Sequence, residues 1–322
     1  MSTILIRNLK DKEHVDGLLL VKEKVVGVGK NGKPFMSIQV GDATGAIDAR
    51  VWDKVDELAR EFEVGDVVKI KGQVQIYMNR KQLVVHRLER VAPESVNLED
   101  FLPKTEREPL DMLTELVALV KTLKNDQIKQ LLLDTLEDAE IRPKILRAPA
   151  AKSVHHSWIG GLLEHILSIC KIMEFMAAHY KMLNRDLLIF GAIYHDIGKI
   201  WELSYDNGIS YTDRGRLIGH LHMGCELLDK KASRILGFDD ELRDVLKHII
   251  LSHHGRLEYG SPKRPKFLEA LVVAMVDDFD SKVASVHSLI ENEKASGDRW
   301  SRYNELYERY FLLDDMNEKF GK

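Results

Sequence analysis

The chain has 322 residues, 44% of them hydrophobic and 30% charged, which is an ordinary globular composition with enough length for two domains. Its formal net charge of −4 excludes a protein that is basic throughout, and its two cysteines, Cys170 and Cys225, exclude a disulfide framework. Because no stretch of 18 or more apolar residues occurs, we expect no membrane span. The low cysteine content makes a reducing, cytoplasmic location the expected one.

The first part of the chain has the period-2 alternation of β-strands. A strand region, VDGLLLVKEKVVGV, is followed by PFMSIQVGD, which places Phe35 on one face and Met36, Ile38 and Val40 on the other. A third strand, AIDARVWD, a short helix, VDELAREFEVGD, and a last hairpin, VVKIKGQVQIYM with QLVVHRLERV, come next. Three strands, a helix and two strands is the order of an OB barrel, so residues 1–92 are predicted to form an OB-fold nucleic-acid-binding domain.

A change of period marks the second part of the chain. Residues 93–110 hold three of the eight prolines and are predicted to be a linker. Beyond them, segments such as LLEHILSICKIMEFMAAHY repeat apolar residues every 3.6 positions, which predicts an all-helical domain over residues 111–322. Near the end, Trp300, Tyr303 and Tyr307 lie at helical spacing, which predicts a helix that docks by aromatic packing.

Histidine is concentrated in this second part. Ten of the 13 histidines lie between His155 and His254, and the stretches that stand out are GGLLEHILS, YHDIGK, RLIGHLHMG, LSHHG and, with aspartate, VDDFDSK. These stretches are separated by one or two helices each, so several helices are able to point one ligand at a common centre. The histidines outside these stretches that we interpret as packing or surface residues are His14, His86, His179, His248 and His287.

The residue types indicate the chemistry of such a centre. Neutral imidazole and carboxylate suit divalent Mn, Fe, Co or Mg, and the lack of cysteine there argues against structural zinc. Asp196 has two carboxylate oxygens and is therefore able to bridge two ions, which would stabilise the charge that develops on a phosphoryl group. Lys199 lies one helical step beyond Asp196 and brings a cation to a phosphate oxygen, so both are catalytic candidates.

The order H…HD…H…HH…D resembles the HD-domain phosphohydrolase superfamily. More narrowly, the chain resembles the YhaM family of 3′–5′ exoribonucleases, which join an OB domain to an HD domain; the matching stretches are PFMSIQVGDATGAIDARVWD, APAAKSVHHSWIGGLLEH, YHDIGKIWELS, GRLIGHLHMG and LSHHGRLEYGSPKRPKFLEALVVAMVDDFDSK. The resemblance implies metal-dependent hydrolysis of single-stranded RNA from the 3′ end, with single-stranded DNA as a further substrate. Mn²⁺ is the expected ion, and one or two ions are compatible with the sequence.

The same resemblance implies a ligand set. One ion would be held by His165, His195, Asp196 and Asp277, and a second ion, or a site beside the first, would involve Asp196 with His220 and His253. Asp277 is chosen because the resemblance places the ligand at the first Asp of DDFD.

Alternatives remain open within the motifs. His222 is able to replace His220, His254 to replace His253, and Asp278 or Asp280 to replace Asp277, although Asp280 is favoured as a supporting residue. His155 and His156 are either near the substrate channel or occupied in capping and packing.

OB barrels bind single strands through aromatic platforms and basic flanks. The stacking candidates are Phe35, Trp52 and Tyr77, although Phe35 and Trp52 are equally open to a packing role. The candidates for backbone contacts are Lys33, Arg50, Lys69, Lys71, Arg80 and Lys81. The loop Lys30–Lys33 and the turn Asn79–Lys81 are favoured, because OB folds present ligands with their loops.

Two other functions compete with the exonuclease. A hydrolase of small nucleotides would use the same helical site, but it has no need of a strand-binding barrel. A single-strand-binding protein without activity would keep the barrel, but a decayed site usually loses some of its ligands, and here every expected ligand type and Lys199 are present.

Overall fold

The computed structural model describes residues 5–29, 32–77, 80–151, 158–205, 208–294 and 297–321. The contacts between residues divide the chain into two compact units. One unit comprises the described residues of Met1–Pro103, Asp206–Gly208 and Asn292–Lys322, and the other comprises those of Lys104–Tyr205 and Ile209–Glu291. The two units differ from the predicted boundaries chiefly at the C-terminus, because residues 292–322 group with the barrel.

The first unit contains a closed five-stranded barrel, as predicted. Its elements are β1 (His14–Val28), β2 (Pro34–Asp42), β3 (Gly45–Val51), α1 (Val55–Leu58), β4 (Val67–Tyr77) and β5 (Arg80–Arg90). The strand order is β1-β2-β3-β5-β4, and all neighbours are antiparallel except β3 and β5. This order and closure confirm the OB fold.

Strand alternation fills the barrel. Along β2, Met36, Ile38 and Val40 are buried in the core, while Phe35 is only half-buried on the opposite face, as the sequence predicts. The predicted helix after β3 is shorter than expected, because α1 ends at Leu58 and the chain continues as turns toward Gly65.

The second unit is built mainly from helices around one apolar core. In it lie α2 (Pro109–Lys121), α3 (Asp126–Leu136), α4 (Arg142–Arg147), α5 (Gly161–His179), α6 (Arg185–Tyr194), α7 (Lys199–Glu202), α8 (Asp213–Ile218), α9 (His220–Ala232), α10 (Asp240–Ser252) and all but the last two residues of α11 (Leu268–Glu293). The helical architecture is as predicted, and the structure adds a small two-stranded sheet of β6 (Leu203–Ser204) and β7 (Ser210–Tyr211). No helix in the described part is both long and apolar enough to cross a bilayer.

Two further predictions need correction. The predicted linker holds 3₁₀ turns at Pro93–Ser95 and Leu98–Phe101, and α2 already begins within it at Pro109, since proline is well suited to the first position of a helix. The aromatic segment near the C-terminus is not a helix. There, Trp300 bridges to Leu312. The Asn304 side chain accepts a hydrogen bond from Tyr307 N, a local bond that competes with helix formation. A short helix, α12, follows at Met316–Phe320.

Candidate functional site

The candidate ligands lie on the ends of helices or on their inner faces. His165 lies on α5, His195 and Asp196 follow α6, His220 opens α9, His253 and His254 follow α10, and Asp277 lies on α11. Two glycines allow these elements to approach. A Cβ atom on Gly191 of α6 would collide with Val273 of α11, and one on Gly198 would collide with the carbonyl group of His220. The sequence therefore brings α11 against α6 and the start of α9 against the turn that carries Asp196.

One group of four side chains, which we call the first cluster, comprises His165, His195, Asp196 and Asp277. The His165 Nε2 atom lies 3.3 Å from His195 Nε2, 3.2 Å from Asp277 Oδ1 and 3.8 Å from Asp196 Oδ2. His195 Nε2 lies 3.4 Å from Asp196 Oδ2 and 3.7 Å from Asp277 Oδ1. Ligand atoms about 2.1 Å from one divalent ion are spaced by roughly 3.0–3.4 Å, so the first cluster fits such an ion.

A second cluster comprises His220, His253 and His254. The other carboxylate oxygen of Asp196, Oδ1, faces it, at 3.4 Å from His220 Nε2 and 3.6 Å from His253 Nε2. Asp196 Oδ1, His220 Nε2, His253 Nε2 and His254 Nδ1 are all buried without a hydrogen-bond partner among the described residues. Leaving several polar atoms unsatisfied in one place is costly unless a ligand satisfies them, so the second cluster also fits a cation.

Four of the candidate ligand histidines are oriented through their other ring nitrogen. His165 Nδ1 lies 2.8 Å from Asp280 Oδ2, and Asp280 Oδ1 also accepts a hydrogen bond from the Ser168 hydroxyl. His220 Nδ1 lies 2.9 Å from Glu202 Oε1, which accepts the His220 backbone N–H as well.

His195 and His253 use backbone carbonyls instead. His195 Nδ1 lies 3.0 Å from Gly191 O, and His253 Nδ1 lies 2.8 Å from Ile250 O. Partners of this kind fix the tautomer, so Nε2 of each of these four imidazoles faces the ligand clusters.

The two clusters differ in protonation. Burial lowers the pKa of His165, but the carboxylates of Asp277 and Asp280 outweigh it and raise that pKa to about 9. In the second cluster, burial lowers the pKa of His253, and burial together with the neighbouring imidazoles lowers that of His254 to about 4. In the free protein near neutral pH, His165 is therefore protonated, whereas His253 and His254 are neutral.

Lys199 lies beside the first cluster. Its Nζ atom is 2.6 Å from Asp196 Oδ2. Burial opposes ionisation of the Asp196 carboxyl, but the charges of Lys199 and His195 hold its pKa well below the usual range. Lys199 also lines a cavity of about 220 Å³ together with Asp196, His253, His254, Asp277, Asp278, Tyr259 and Ser281. The ammonium group is thus next to both the Asp196 carboxylate and the cavity.

The open alternatives can now be placed. His222 is exposed and pairs with Glu226 at 3.3 Å, and Asp278 pairs with Lys282 on the surface, so neither belongs to a cluster. His254 lies with His253 and does not replace it. His155 and His156 lie outside the described residues. Sequence reasoning missed Glu202, although an acid shortly after the HD pair, in KIWELS, was a signal that could have been followed.

On the barrel, three of the predicted residues lie together on the β2–β3 face. The Phe35 and Trp52 rings are 5.7 Å apart, and the Arg50 guanidinium lies 5.9 Å from the Phe35 ring. Trp52 is 55% exposed, so it is not a core residue, and Arg50 Nη1 is buried with no acceptor within the described ranges.

The other barrel candidates lie apart from this group. Tyr77, Arg80 and Lys81 lie on the β4–β5 hairpin, and Tyr77 is exposed. Lys33 precedes β2 and is exposed, whereas Lys71 pairs with Asp16 at 2.8 Å. Lys30, Asn31 and Asn79 of the predicted loops lie outside the described residues.

Comparison with known proteins agrees with both units. The HD domain family matches residues 162–282, and the OB-fold nucleic acid binding domain family matches residues 18–91. The match to a solved structure of the S. cerevisiae mitochondrial single-stranded DNA binding protein Rim1 has 11% sequence identity and covers 26% of this chain and 97% of Rim1. Its TM-score of 0.22 is too low to establish similarity of the whole structures.

Full-length relatives are more informative. The chain is 34% identical over 309 residues to the 3′-5′ exoribonuclease YhaM of Bacillus subtilis (strain 168), covering 95% of this chain and 94% of that protein. It is 35% identical over 307 residues to YhaM of Geobacillus sp. (strain WCH70), covering 95% of this chain and 91% of the relative. With both domains matched in order and nearly the whole length shared, the chain belongs to the YhaM family of 3′–5′ exoribonucleases.

Proposed function

We propose that this protein is a metal-dependent 3′–5′ exonuclease that hydrolyses phosphodiester bonds of single-stranded RNA, with single-stranded DNA as a further substrate. The observation that carries the proposal is the position of the Asp196 carboxylate. Its two oxygens face two different ligand clusters, one beside His165, His195 and Asp277 and the other beside His220 and His253. A buried arrangement of this kind is typical of centres for phosphoryl chemistry.

We propose that each cluster holds one divalent ion, with Mn²⁺ first and Fe, Co or Mg as substitutes. The donors are imidazole nitrogens and carboxylate oxygens, the set that such borderline and hard ions accept. When bound, the ions supply Lewis acidity to the scissile phosphate and lower the pKa of water. The metal ligands are His165, His195, Asp196 and Asp277 on one side, and His220, His253 and His254 with Asp196 on the other.

The remaining side chains position and complement this centre. Asp280 and Glu202 hold His165 and His220 in the tautomers that leave Nε2 free to act as a ligand. Lys199 provides a fixed cation at the cavity, 2.6 Å from Asp196, where it stabilises the charge on a non-bridging phosphate oxygen. Because both Asp196 and Lys199 are almost fully enclosed, these charges act with little screening by water.

The barrel is proposed to hold the single strand. The Phe35, Arg50 and Trp52 group offers an aromatic surface beside a guanidinium, and Tyr77, Arg80, Lys81 and Lys33 extend the contact along the hairpin and the β1–β2 loop. Bases stack on such rings without much regard to sequence. A cytoplasmic location is also proposed, since Cys170 and Cys225 are both free and buried.

The activity is tested with 5′-labelled and 3′-labelled single-stranded RNA in the presence of Mn²⁺. A 3′–5′ exonuclease converts the 5′-labelled strand into a descending ladder and releases the 3′ label at once as a mononucleotide, while circular RNA of the same sequence persists. Cleavage of the circle would contradict an exonuclease, and hydrolysis of free nucleotides alone would favour the small-nucleotide hydrolase.

A further inference from the structure

An exposed tyrosine lies at the mouth of the metal centre. Tyr259 belongs to the loop that follows the second-cluster histidines and ends a short 3₁₀ turn, Leu257–Tyr259. Its side chain is 61% exposed, yet it lines the same cavity as Asp196 and Lys199. The ring is therefore a wall of the space next to the reacting groups while most of its surface remains open to solvent.

The loop that carries Tyr259 is anchored. Ser261 is buried, and its hydroxyl donates a hydrogen bond to Leu251 O at 2.9 Å. At the other end, Arg256 N donates to His254 O, also at 2.9 Å. These two bonds tie the loop that carries Tyr259 to the last turn of α10 and to His254.

Two cationic groups lie near the ring, beside a cavity that is also lined by the carboxylates of Asp196, Asp277 and Asp278. The Arg256 guanidinium lies 5.7 Å from the ring centroid, and Lys199 lines the same cavity. The segment that follows in the chain, SPKRPK, is also basic, and its Arg264 lies 3.9 Å from Glu258. An aromatic ring that is exposed and flanked by cations matches the two requirements of a single-strand subsite, a stacking surface for a base and positive charge for the adjoining phosphate.

We propose that Tyr259 stacks on the nucleobase of the 3′-terminal nucleotide and so places the adjoining phosphodiester at Asp196 and Lys199. This assignment rests on the proposed exonuclease function and deepens it, since it names the group of the substrate that is recognised within the helical unit. Every base has a π-face, so the subsite accepts all four bases and requires only that a base is present.

The test is a double-mutant cycle in which the tyrosine and the 3′-terminal base are removed separately and together. kcat/KM is measured for wild type and Tyr259→Ala on an RNA with an ordinary 3′-terminal nucleotide and on the same RNA with an abasic 3′ terminus. Stacking of one base corresponds to about a 5- to 140-fold effect. We expect losses in this range from the substitution alone and from the abasic terminus alone, and little further loss when the two are combined.

Two control variants separate stacking from folding. Tyr259→Phe keeps the ring and should stay close to wild type, and Tyr180→Ala removes an exposed tyrosine that does not line the cavity. If Tyr259→Ala loses the same factor on the abasic RNA, or loses nothing on either, the base subsite is refuted. A wild-type protein that produces no ladder from RNA would refute the exonuclease itself, which is a distinct outcome.

Discussion

The ligand clusters on the two sides of Asp196 differ in charge. The first cluster combines two imidazoles with two carboxylates, and its His165 is protonated because its pKa is raised to about 9. The second cluster consists of three imidazoles and faces a single carboxylate oxygen, and burial lowers the pKa values of His253 and His254. The first cluster contains the negative charge of Asp277 in addition to that of Asp196. In the second cluster, Asp196 is the only candidate ligand that carries a negative charge. Asp196 is therefore the residue whose loss should affect both sides.

The largest effect is expected for Asp196→Asn. The amide removes the negative charge that both clusters share, so turnover should fall by at least about 10³-fold, beyond the loss of a single electrostatic contact. Metal content should fall for both ions, as measured by mass spectrometry, while circular dichroism remains that of a folded protein. Normal turnover in a metal-depleted variant would show that catalysis does not use this centre.

Lys199→Ala should affect chemistry more than metal content. Its Nζ atom lies at the cavity, and one cation directed at developing negative charge is worth about 10²–10³ in rate. Single-turnover rates and metal content should be compared with wild type. If the ion pair with Asp196 only balances charge, the variant will bind metal differently and will retain its rate when metal is saturating.

The two orienting carboxylates should have smaller and separable effects. Asp280→Asn weakens the hydrogen bond to His165, and Glu202→Gln weakens the hydrogen bond to His220. Each substitution should lower metal affinity or activity by about 10–100-fold. Asp280→Asn should affect the ion of the first cluster, and Glu202→Gln that of the second, in a Mn²⁺ titration. Glu226→Gln is the matched control, because Glu226 pairs with the exposed His222. Equal effects from all three variants would show that Asp280 and Glu202 do not orient particular metal ligands.

The pH dependence of metal binding should also separate the clusters. His165 has a pKa raised to about 9, so a proton competes with the ion at Nε2 below that pH. Affinity of the first cluster should therefore rise as pH increases, by up to about tenfold per pH unit for this one proton. His254, with a pKa of about 4, imposes no such dependence near neutrality. Calorimetry of Mn²⁺ binding to His254→Ala between about pH 6.5 and 8 measures the affinity of the first cluster alone. An affinity that does not change with pH would contradict the assignment of His165 as a metal ligand that must lose a proton.

Much of this architecture was predictable from the sequence because it depends on periodicity and residue type. The alternation around Met36 predicted the strand faces, and the HD, HH and DDFD motifs contain the histidines and aspartates that lie together in the clusters. A motif does not say which member of a pair faces the centre. His253 and His254 both do, because they follow the last turn of α10 with their rings 4.3 Å apart.

Other features depend on contacts that the spacing of residues does not reveal. Glu202 lies 2.9 Å from His220 at a place where the backbone of Gly198 approaches His220 closely. Near the C-terminus, the spacing of Trp300, Tyr303 and Tyr307 fits a helix, but the side chain of Asn304 stabilises a turn instead. Helical periodicity is a weak guide where polar side chains bond to their own backbone.

The most direct test of the central claim is the number of ions that each chain binds. Protein equilibrated with Mn²⁺ and freed of excess ion should contain two equivalents in wild type and in His222→Ala, whose histidine is exposed and outside both clusters. His254→Ala should retain one equivalent, and Asp196→Asn should retain fewer than one. A single equivalent in wild type, unchanged in His254→Ala, would contradict a centre in which Asp196 divides two metal sites.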